Sequence, residues 1–407
     1  MVIEEHARLE ILLPNEQNWW YISENDIIQN SLSIAEKCMD DGSFMLGGVF
    51  SAQLSVKLRI SGENVNSYTV IGAKIKVYSW YGSDQSNEKL RGVFWITSAT
   101  RNNDIFTVSA SDSLIWLDSA SYGADSEESN PIYNMLSSFV ANLCFVFEHM
   151  LLVVNEIIDD DKKLEFYYDS GIINNLPSGK GYCLLPPDMV GEISTRNPRD
   201  YASWLAEIAC GFVFMDYSNG NPRIRIGQFG EEIKNEISWD EIELNSCEIA
   251  DFTVQINGIW TKVYNGTHGS IGSLKGSVID ISDNPFKDGH WQYNNGNCMD
   301  ILSNIGGKIW GDLPNCNGLF FRPFTLKCHC RKYFELGQKI LLPDGNVSIL
   351  TSIKWKFRGG TILGCAGKDN RLLSVSAKRS QAAKVKDLAY TKINRLQRQI
   401  DDINGKI

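Results

Sequence analysis

What the sequence lacks narrows its chemistry first. Its ten cysteines form no Cys-x-x-Cys pair, which removes the zinc-ribbon and thioredoxin-type readings and leaves free thiols in a reducing cytosol as the expectation. There is no HExxH helix, no GxSxG elbow and no Walker loop, so the sequence offers no metalloprotease, serine hydrolase or P-loop site. Histidine is scarce. The five are His6, His149, His268, His290 and His329, and none pairs with another at metal-ligand spacing. Cys328-His329-Cys330 alternates in a strand, so its histidine faces away from both cysteines and buried thiols are expected there rather than zinc. No cofactor, metal or catalytic residue is assigned.

Basic charge is also short. Lysine and arginine number 39 against 49 acids, a net charge of -10. That balance argues against broad nucleic-acid binding, and an acidic wall would repel DNA passing nearby. The first residues, MVIEEHARLEILLPNEQ, lack a basic start and a long apolar core, so they do not read as a signal peptide. The longest apolar stretch, Pro131 to Val154, is interrupted by Asn134, Ser137, Ser138, Asn142, Glu148 and His149. It reads as a buried core helix and not a membrane span. The charge run from Asp159 to Lys163 lacks the spacing and glycine of a calcium loop and reads as a solvated turn. Glu231-Glu232 reads as solvent-facing. Gly266 to Gly272 is glycine-rich, but no helix follows to cradle a phosphate, so a flexible loop is expected.

What the sequence does contain is mostly strand. Gln53 to Ile60 alternates with Leu54, Val56, Leu58 and Ile60 on one face, and Lys74 to Tyr78 alternates with Ile75 and Val77. Val93 to Ile96 and Ile105 to Ala110 flank a turn at 101–104, and Asp112 to Leu117 reads as a short helix. The best-specified stretch is residues 194–229. Asn197 is a candidate N-cap, Pro198 a first helical residue, and Tyr201, Trp204, Leu205 and Ile208 share one helix face. Gly211 is expected to take a left-handed C-cap. Two strands, Phe212 to Tyr217 and Arg223 to Gly227, then flank an Asn-Gly turn. Leu164 to Tyr168 reads as a strand and Leu184 to Asp188 as a loop. Asp251 to Tyr264 and Val278 to Ile281 are strand-like, with a helix expected at Cys298 to Ile305. Strands are expected again at Phe321 to Arg331, Lys339 to Leu342, Ser348 to Phe357 and Gly360 to Ala366, with a hairpin turn at Asp344-Gly345. From about Val375 the chain turns polar and basic. Ala389, Ile393, Leu396, Ile400, Ile403 and Ile407 recur in steps of three and four, a heptad seam whose isoleucines favour three strands.

The helix-glycine-hairpin unit, the segment FMLGGVFSAQLSVKL from Phe44 to Leu58 and the Gly72 to Val77 strand resemble phage tail-tip and baseplate hub proteins. So do the Asn-Pro-Phe at Asn284 and the Glu335-Leu336-Gly337-Gln338 turn, where the family usually has Asp in place of Gln338. The family includes siphophage tail-associated proteins and contractile-tail baseplate hubs, and the motifs run in the expected order across residues 40–370. The resemblance implies an α+β, mostly β fold with two tube-protein-like β-barrel domains. These would be a barrel at 1–118, an α/β middle region at 119–250 with the helix-hairpin at 197–229, and a second barrel at 251–372. A C-terminal coiled-coil helix would follow at 373–407. It further implies a homotrimer forming a pseudo-sixfold ring at the virion tail tip. A distal tail or tail-tube protein would lie above it, and fibre, spike or receptor-binding proteins below. A tape-measure protein would occupy the lumen, and DNA would pass without specific binding. The alternative readings are a tail-associated cell-wall-degrading lysin, for which the chain leaves no room after the coil, and a carbohydrate-binding adhesin suggested by its tryptophans and tyrosines.

Overall fold

Side-chain alternation builds the first strands. The structure, a computed structural model, describes residues 4–14, 16–40, 44–60, 67–119, 141–158, 163–167, 182–184, 197–218, 222–229, 233–262, 268–272, 277–281, 284, 290–292, 298–300, 320–329 and 332–367. In chain order come β1 (Glu5–Leu12), β2 (Trp20–Ile22), β3 (Ser33–Lys37), β4 (Gly48–Val49) and β5 (Gln53–Arg59). They are followed by the one-turn α1 (Ser67–Val70), β6 (Lys74–Tyr81), β7 (Lys89–Asn102) and β8 (Ile105–Ser111). β5 buries Leu54, Val56 and Leu58 and exposes the residues between them, as its alternation requires. β7 and β8 meet in a two-residue turn in which Asn103 takes φ 54°, a conformation asparagine tolerates. Asp112 then caps a 3-10 turn over Ser113–Asp118 by accepting from the Leu114 N–H.

The middle of the chain supplies β9 (Ala141–Asn142), α2 (Leu143–Ile157), β10 (Tyr182–Leu184), α3 (Pro198–Ile208), β11 (Gly211–Asp216) and β12 (Arg223–Gln228). Next are β13 (Ile233–Glu236), β14 (Ile242–Ile249), β15 (Val254–Lys262), β16 (His268–Gly272), β17 (Ser277–Asp280), β18 (His290–Gln292) and β19 (Cys298–Asp300). The last are β20 (Phe320–Phe321), β21 (Phe324–Cys328), β22 (Lys339–Leu341), β23 (Val347–Ile349), β24 (Ser352–Lys356) and β25 (Gly360–Cys365). The fold is mostly β with few helices.

Eleven strands form one sheet in the order β14-β21-β25-β24-β3-β5-β8-β7-β6-β1-β2. Its centre is the antiparallel pairing of β3 with β24, in register Ser33 opposite Lys356 through Lys37 opposite Ser352. That ladder joins the two ends of the described chain into a single surface. One face of the sheet packs two apolar clusters. The first holds Leu9, Ile11, Leu54, Val56, Ile75, Phe94, Phe106, Trp355 and Phe357. The second gathers Cys38, Phe147, Tyr201, Leu205, Phe212, Leu326, Ile353 and Leu363. Each cluster draws side chains from both ends of the sequence.

The helix-hairpin forms as its residues dictate. Asn197 accepts from the Asp200 N–H, Pro198 opens α3, and Tyr201, Leu205 and Ile208 are buried. The left-handed position after α3 is taken by Cys210 (φ 58°), not by Gly211. Gly211 begins β11, where a Cβ would lie 2.1 Å from the carbonyl oxygen of Gly227 on β12. The glycine is needed for close backbone approach and not for helix termination. Gly48 in β4 is constrained the same way, a Cβ there lying 1.9 Å from the Cys38 carbonyl oxygen. The other glycine of the Gly-Gly step, Gly47, takes φ 73° and a Cβ there would lie 2.5 Å from the Ser203 carbonyl oxygen on α3, so the two glycines serve different contacts.

Several expectations change. Where the helix expected over 131–154 is described, it begins at Leu143 after the short β9, and the rest of that stretch lies outside the described residues. His268–Gly272, expected as a loop, is a strand, because β15 offers it a complete antiparallel partner from Gly258 to Lys262. Cys298–Asp300, expected to open a helix, is likewise a strand on β18. Leu184, expected in a loop, ends β10, which pairs with β9 and β18. Phe321 to Arg331 is broken because Arg322 and Pro323 interrupt the ladder between β20 and β21, proline having no N–H to give it. Ser348 to Phe357 divides at Leu350 and Thr351, where the chain passes from one sheet to another. Leu164 is buried and Phe166 makes one bridge with Ile224, with no longer strand there. The Asp344-Gly345 turn joins β22 to β23 as expected.

Gly48→Ala and Gly211→Ala should each cost about 3 kcal/mol or more, since backbone atoms must move to admit the methyl. Gly345→Ala meets nothing within 4 Å, though φ is +82°, and should cost about 1 kcal/mol through backbone strain alone. Chemical denaturation of the three variants checks the ranking.

Candidate assembly surfaces

Charged side chains hold the sheet where apolar packing runs out. At one end Glu5 on β1 reaches β24: its carboxylate accepts from Trp355 Nε1 at 2.8 Å and from the Arg358 N–H at 2.7 Å. Arg358 Nε also donates to the Glu5 carbonyl at 3.2 Å. The sheet therefore curls until β1 meets β24 through side chains. Among the described residues no backbone ladder joins those two strands. At the other end Arg199, in the first turn of α3, donates from Nε to both oxygens of Asp118, from Nη1 to the Val49 carbonyl and from Nη2 to the Leu114 carbonyl. This one guanidinium ties α3 to β4 and the 3-10 turn, which makes it more than a surface ion pair.

Between the two apolar clusters lies a cavity of about 30 Å³ lined by Ile34, Glu36, Arg91, Lys332, Ile353 and Trp355, among others. That volume suits about one water molecule. Arg91 donates from Nε to Ser79 Oγ at 2.7 Å and stacks between the rings of Tyr333 and Trp355, 4.4 and 4.9 Å from their centroids. Its Nη2 is buried with no hydrogen-bond partner among the described residues. Burial pushes the Glu36 carboxyl up to about 7, with Arg91 pulling the other way. Asp112 is also pushed up to about 7 by burial, although the N–H groups of Ala52 and Leu114 donate to it.

Among the described residues the sheet has two edges, β2 and β14. β14 is eight residues long and pairs with β21 across an irregularity between Ile242 and Cys247, with Asn245 at φ 62°. Near that edge Leu244 is 87% exposed and Trp239 61% exposed, and Tyr21 on β2 is 73% exposed. Exposure of this order on strand edges is where a partner finds both unpaired backbone and apolar surface. On α2 the outward Phe145 and Leu152 are exposed as well.

The predicted trimer seam, Ala389, Ile393, Leu396, Ile400, Ile403 and Ile407, lies outside the described residues, as do Glu231, Glu232 and residues 159–162. His329 pairs with Glu243 at 3.0 Å and is half-exposed, whereas Cys328 is buried, so the two point apart as the alternation requires; Cys330 is outside the described residues. Cys38, Cys144, Cys210, Cys247, Cys328 and Cys365 are free thiols. Gln338 is buried, and its Oε1 accepts from Asn235 Nδ2. Asn284 of the Asn-Pro-Phe motif is buried and donates to the Trp204 carbonyl and to Glu207, which fastens it to α3. No helix among the described residues is long and apolar enough to cross a membrane. Sequence reasoning passed over Glu5, Glu36 and Arg199. Glu36 did leave a signal, a carboxylate two residues from Ile34 on the same strand face.

No family model matches the chain, and no curated protein matches it. Solved structures of phage tail proteins and of a VgrG complex align with most of this chain. The prophage tail protein gp18 from Listeria monocytogenes EGD-e aligns over 93% of this chain and 99% of its own, at 10% identity and a TM-score of 0.49. The 43 kDa tail protein of prophage MuSo2 from Shewanella oneidensis aligns over 88% and 97%, at 8% identity and a TM-score of 0.44. A chain of the Francisella PdpA-VgrG complex aligns over 91% of this chain and 53% of its own, at 11% identity and a TM-score of 0.42.

Asp112, buried, and Glu36, half-buried, set a pH dependence. Their ordinary values are 4.5 for Glu36 and 3.8 for Asp112, and both rise in the folded state. Between about pH 4 and 7 these two groups therefore hold more protons in the folded chain than in the unfolded one, and their contribution to stability falls as pH rises through that window. Glu36→Gln should flatten part of the slope and add about 2 kcal/mol at pH 8. Asp112→Asn should instead destabilise, because it turns an N–H donor toward a backbone N–H. Denaturant midpoints measured from pH 4 to 8 separate the two effects.

Proposed function

We propose that this protein is a structural hub of a phage tail tip or baseplate and catalyses no reaction. Three copies form a pseudo-sixfold ring, each contributing two tube-like β units that share the long sheet. The observation that supports this reading is a sheet open at both ends among the described residues, with exposed Tyr21 at one edge and Leu244 near the other. A neighbouring copy can satisfy such edges by strand addition, covering apolar surface as it does so. In this reading the upper face of the ring meets a sixfold tail-tube or distal tail protein. The lower face meets a threefold fibre, spike or receptor-binding protein, and a tape-measure protein occupies the lumen. The motifs of residues 40–370 and the heptad seam near the C-terminus support the same reading. The seam, Ala389 through Ile407, is short, and short isolated helices are marginal in water, so it holds three copies together only in concert with the body of the ring.

Light scattering on the purified protein should give three times the chain mass of 45.8 kDa. Ile393→Asp with Ile400→Asp should lower the trimer fraction about tenfold or more while leaving the melting of the body unchanged. A monomer in the parent protein would end the ring proposal, and an undiminished trimer in the double variant would remove the seam from it. Hydrolysis of purified cell wall would overturn the non-catalytic reading.

A further inference from the structure

The strand registers place a basic surface on an acidic protein. Across the outer face of the sheet, the side turned away from the two apolar clusters, Lys356 lies opposite Ser33, Ser33 opposite Ser55, Ser55 opposite Ser109 and Ser109 opposite Ser98. One row down, Lys57 lies opposite Thr107 and Thr107 opposite Thr100. Arg59 comes two residues after Lys57 on β5, and Lys354 two before Lys356 on β24. Lys327 and Thr325 carry the face onto β21.

The seven consecutive strands β21, β25, β24, β3, β5, β8 and β7 contain a single carboxylate, Glu36. It points to the other face, with Ile34 and Ile353, into the cavity described above. The carboxylates bordering this face lie at its margins. Glu243 pairs with Lys327 and Asp40 with Lys37, while Glu248 sits on β14 and Asp104 in the β7–β8 turn. Lys57, Arg59, Lys354 and Lys356 make no ion pair among the described residues. Their charge is therefore unspent, although the whole chain carries -10.

We propose that this outer face binds the phosphate backbone of nucleic acid without sequence preference. A stable protein partner needs an apolar centre. Here the apolar contribution is Ile362, 39% exposed, with Ala35 and Ile105 partly so. Lysines and arginines set among serine and threonine hydroxyls are instead the groups that contact phosphate oxygens, and such contacts carry no base information. Neighbouring strands lie about 4.8 Å apart, so Lys354 and Lys356 on β24 and Lys57 and Arg59 on β5, with β3 between them, lie within about 10 Å across the curled face, close enough to contact one duplex. The net charge alone implied repulsion of DNA; the placement of charge reverses that for this one face. The inference does not need the ring, since a monomer could bind through the same surface.

The test uses the full-length protein and a fluorescein-labelled duplex of about 30 base pairs and mixed sequence, read by anisotropy. Binding is expected at 50 mM salt, with affinity falling about a hundredfold by 200 mM, the slope for about four neutralised phosphates. The variant Lys57→Gln, Arg59→Gln, Lys354→Gln, Lys356→Gln should weaken binding at 50 mM salt by about tenfold or more, with its melting unchanged because all four side chains face solvent. Absence of binding by the parent protein, or equal binding by the variant, overturns the proposal. A variant that loses particle mass by light scattering, in a protein that never bound the duplex, would overturn it in favour of a second copy of this chain as the occupant.

Discussion

The pairing of β3 with β24 is the constraint on which the rest of the molecule depends. Five residues near the start of the chain, Ser33–Lys37, lie along five near its end, Ser352–Lys356. Without that ladder, β14, β21, β25 and β24 would separate from the strands built by residues 5–111, and both apolar clusters would lose members. Trp355 and Phe357 would leave the cluster around Val56, and Cys38 and Met39 would leave the one around Phe212. A contact between segments so far apart in sequence must be reached against a large loss of chain entropy, and sheets of this kind fold slowly. Its security in the native state rests on what surrounds it. Glu5 braces one end through Trp355 and Arg358, and the Cys38 N–H continues the ladder to Thr351 at the other.

Close backbone contact explains where the chain allows no side chain. Gly48 passes under Cys38 and Gly211 against Gly227, so the β4–β11–β12 sheet and the end of β3 share one crowded corner. Arg199 fills the neighbouring space with donors aimed at two carbonyls and one carboxylate. The helix-hairpin is thus both a local unit and a clamp on the N-terminal strands. The same economy leaves Asp112 buried and Glu36 half-buried near the junction, and these two carboxyls tie stability to pH.

Period and turn chemistry made much of this legible from the sequence. β5 and β8 alternate cleanly, Asn197 and Pro198 mark the start of α3, and Asp344-Gly345 marks the last hairpin. What local pattern could not supply was partnership. His268–Gly272 has poor strand propensity and becomes a strand because β15 lies beside it, and Cys298–Asp300 does so beside β18. Gly211 has the position of a C-cap, and only the approach of β12 reveals its purpose. The partnership of β3 with β24 left no local trace either, since SIAEK and SIKWK are ordinary short strands. Of the surfaces, the exposed Leu244 and the basic outer face emerge only once registers are known. Net charge concealed the second by averaging over the chain.

Among the described residues the long sheet is braced at its seam and unpaired at its edges, and the proposed function rests on that. The direct measurement is native-state hydrogen exchange of the β3 and β24 amides, residues 33–37 and 352–356. If the two strands are one structural unit, their slowest amides open with the same free energy and the same denaturant dependence, as a single cooperative unfolding requires. Exchange of 352–356 through a separate, lower-energy opening while 33–37 stays protected would show that the two ends of the chain are independent, and would contradict the account.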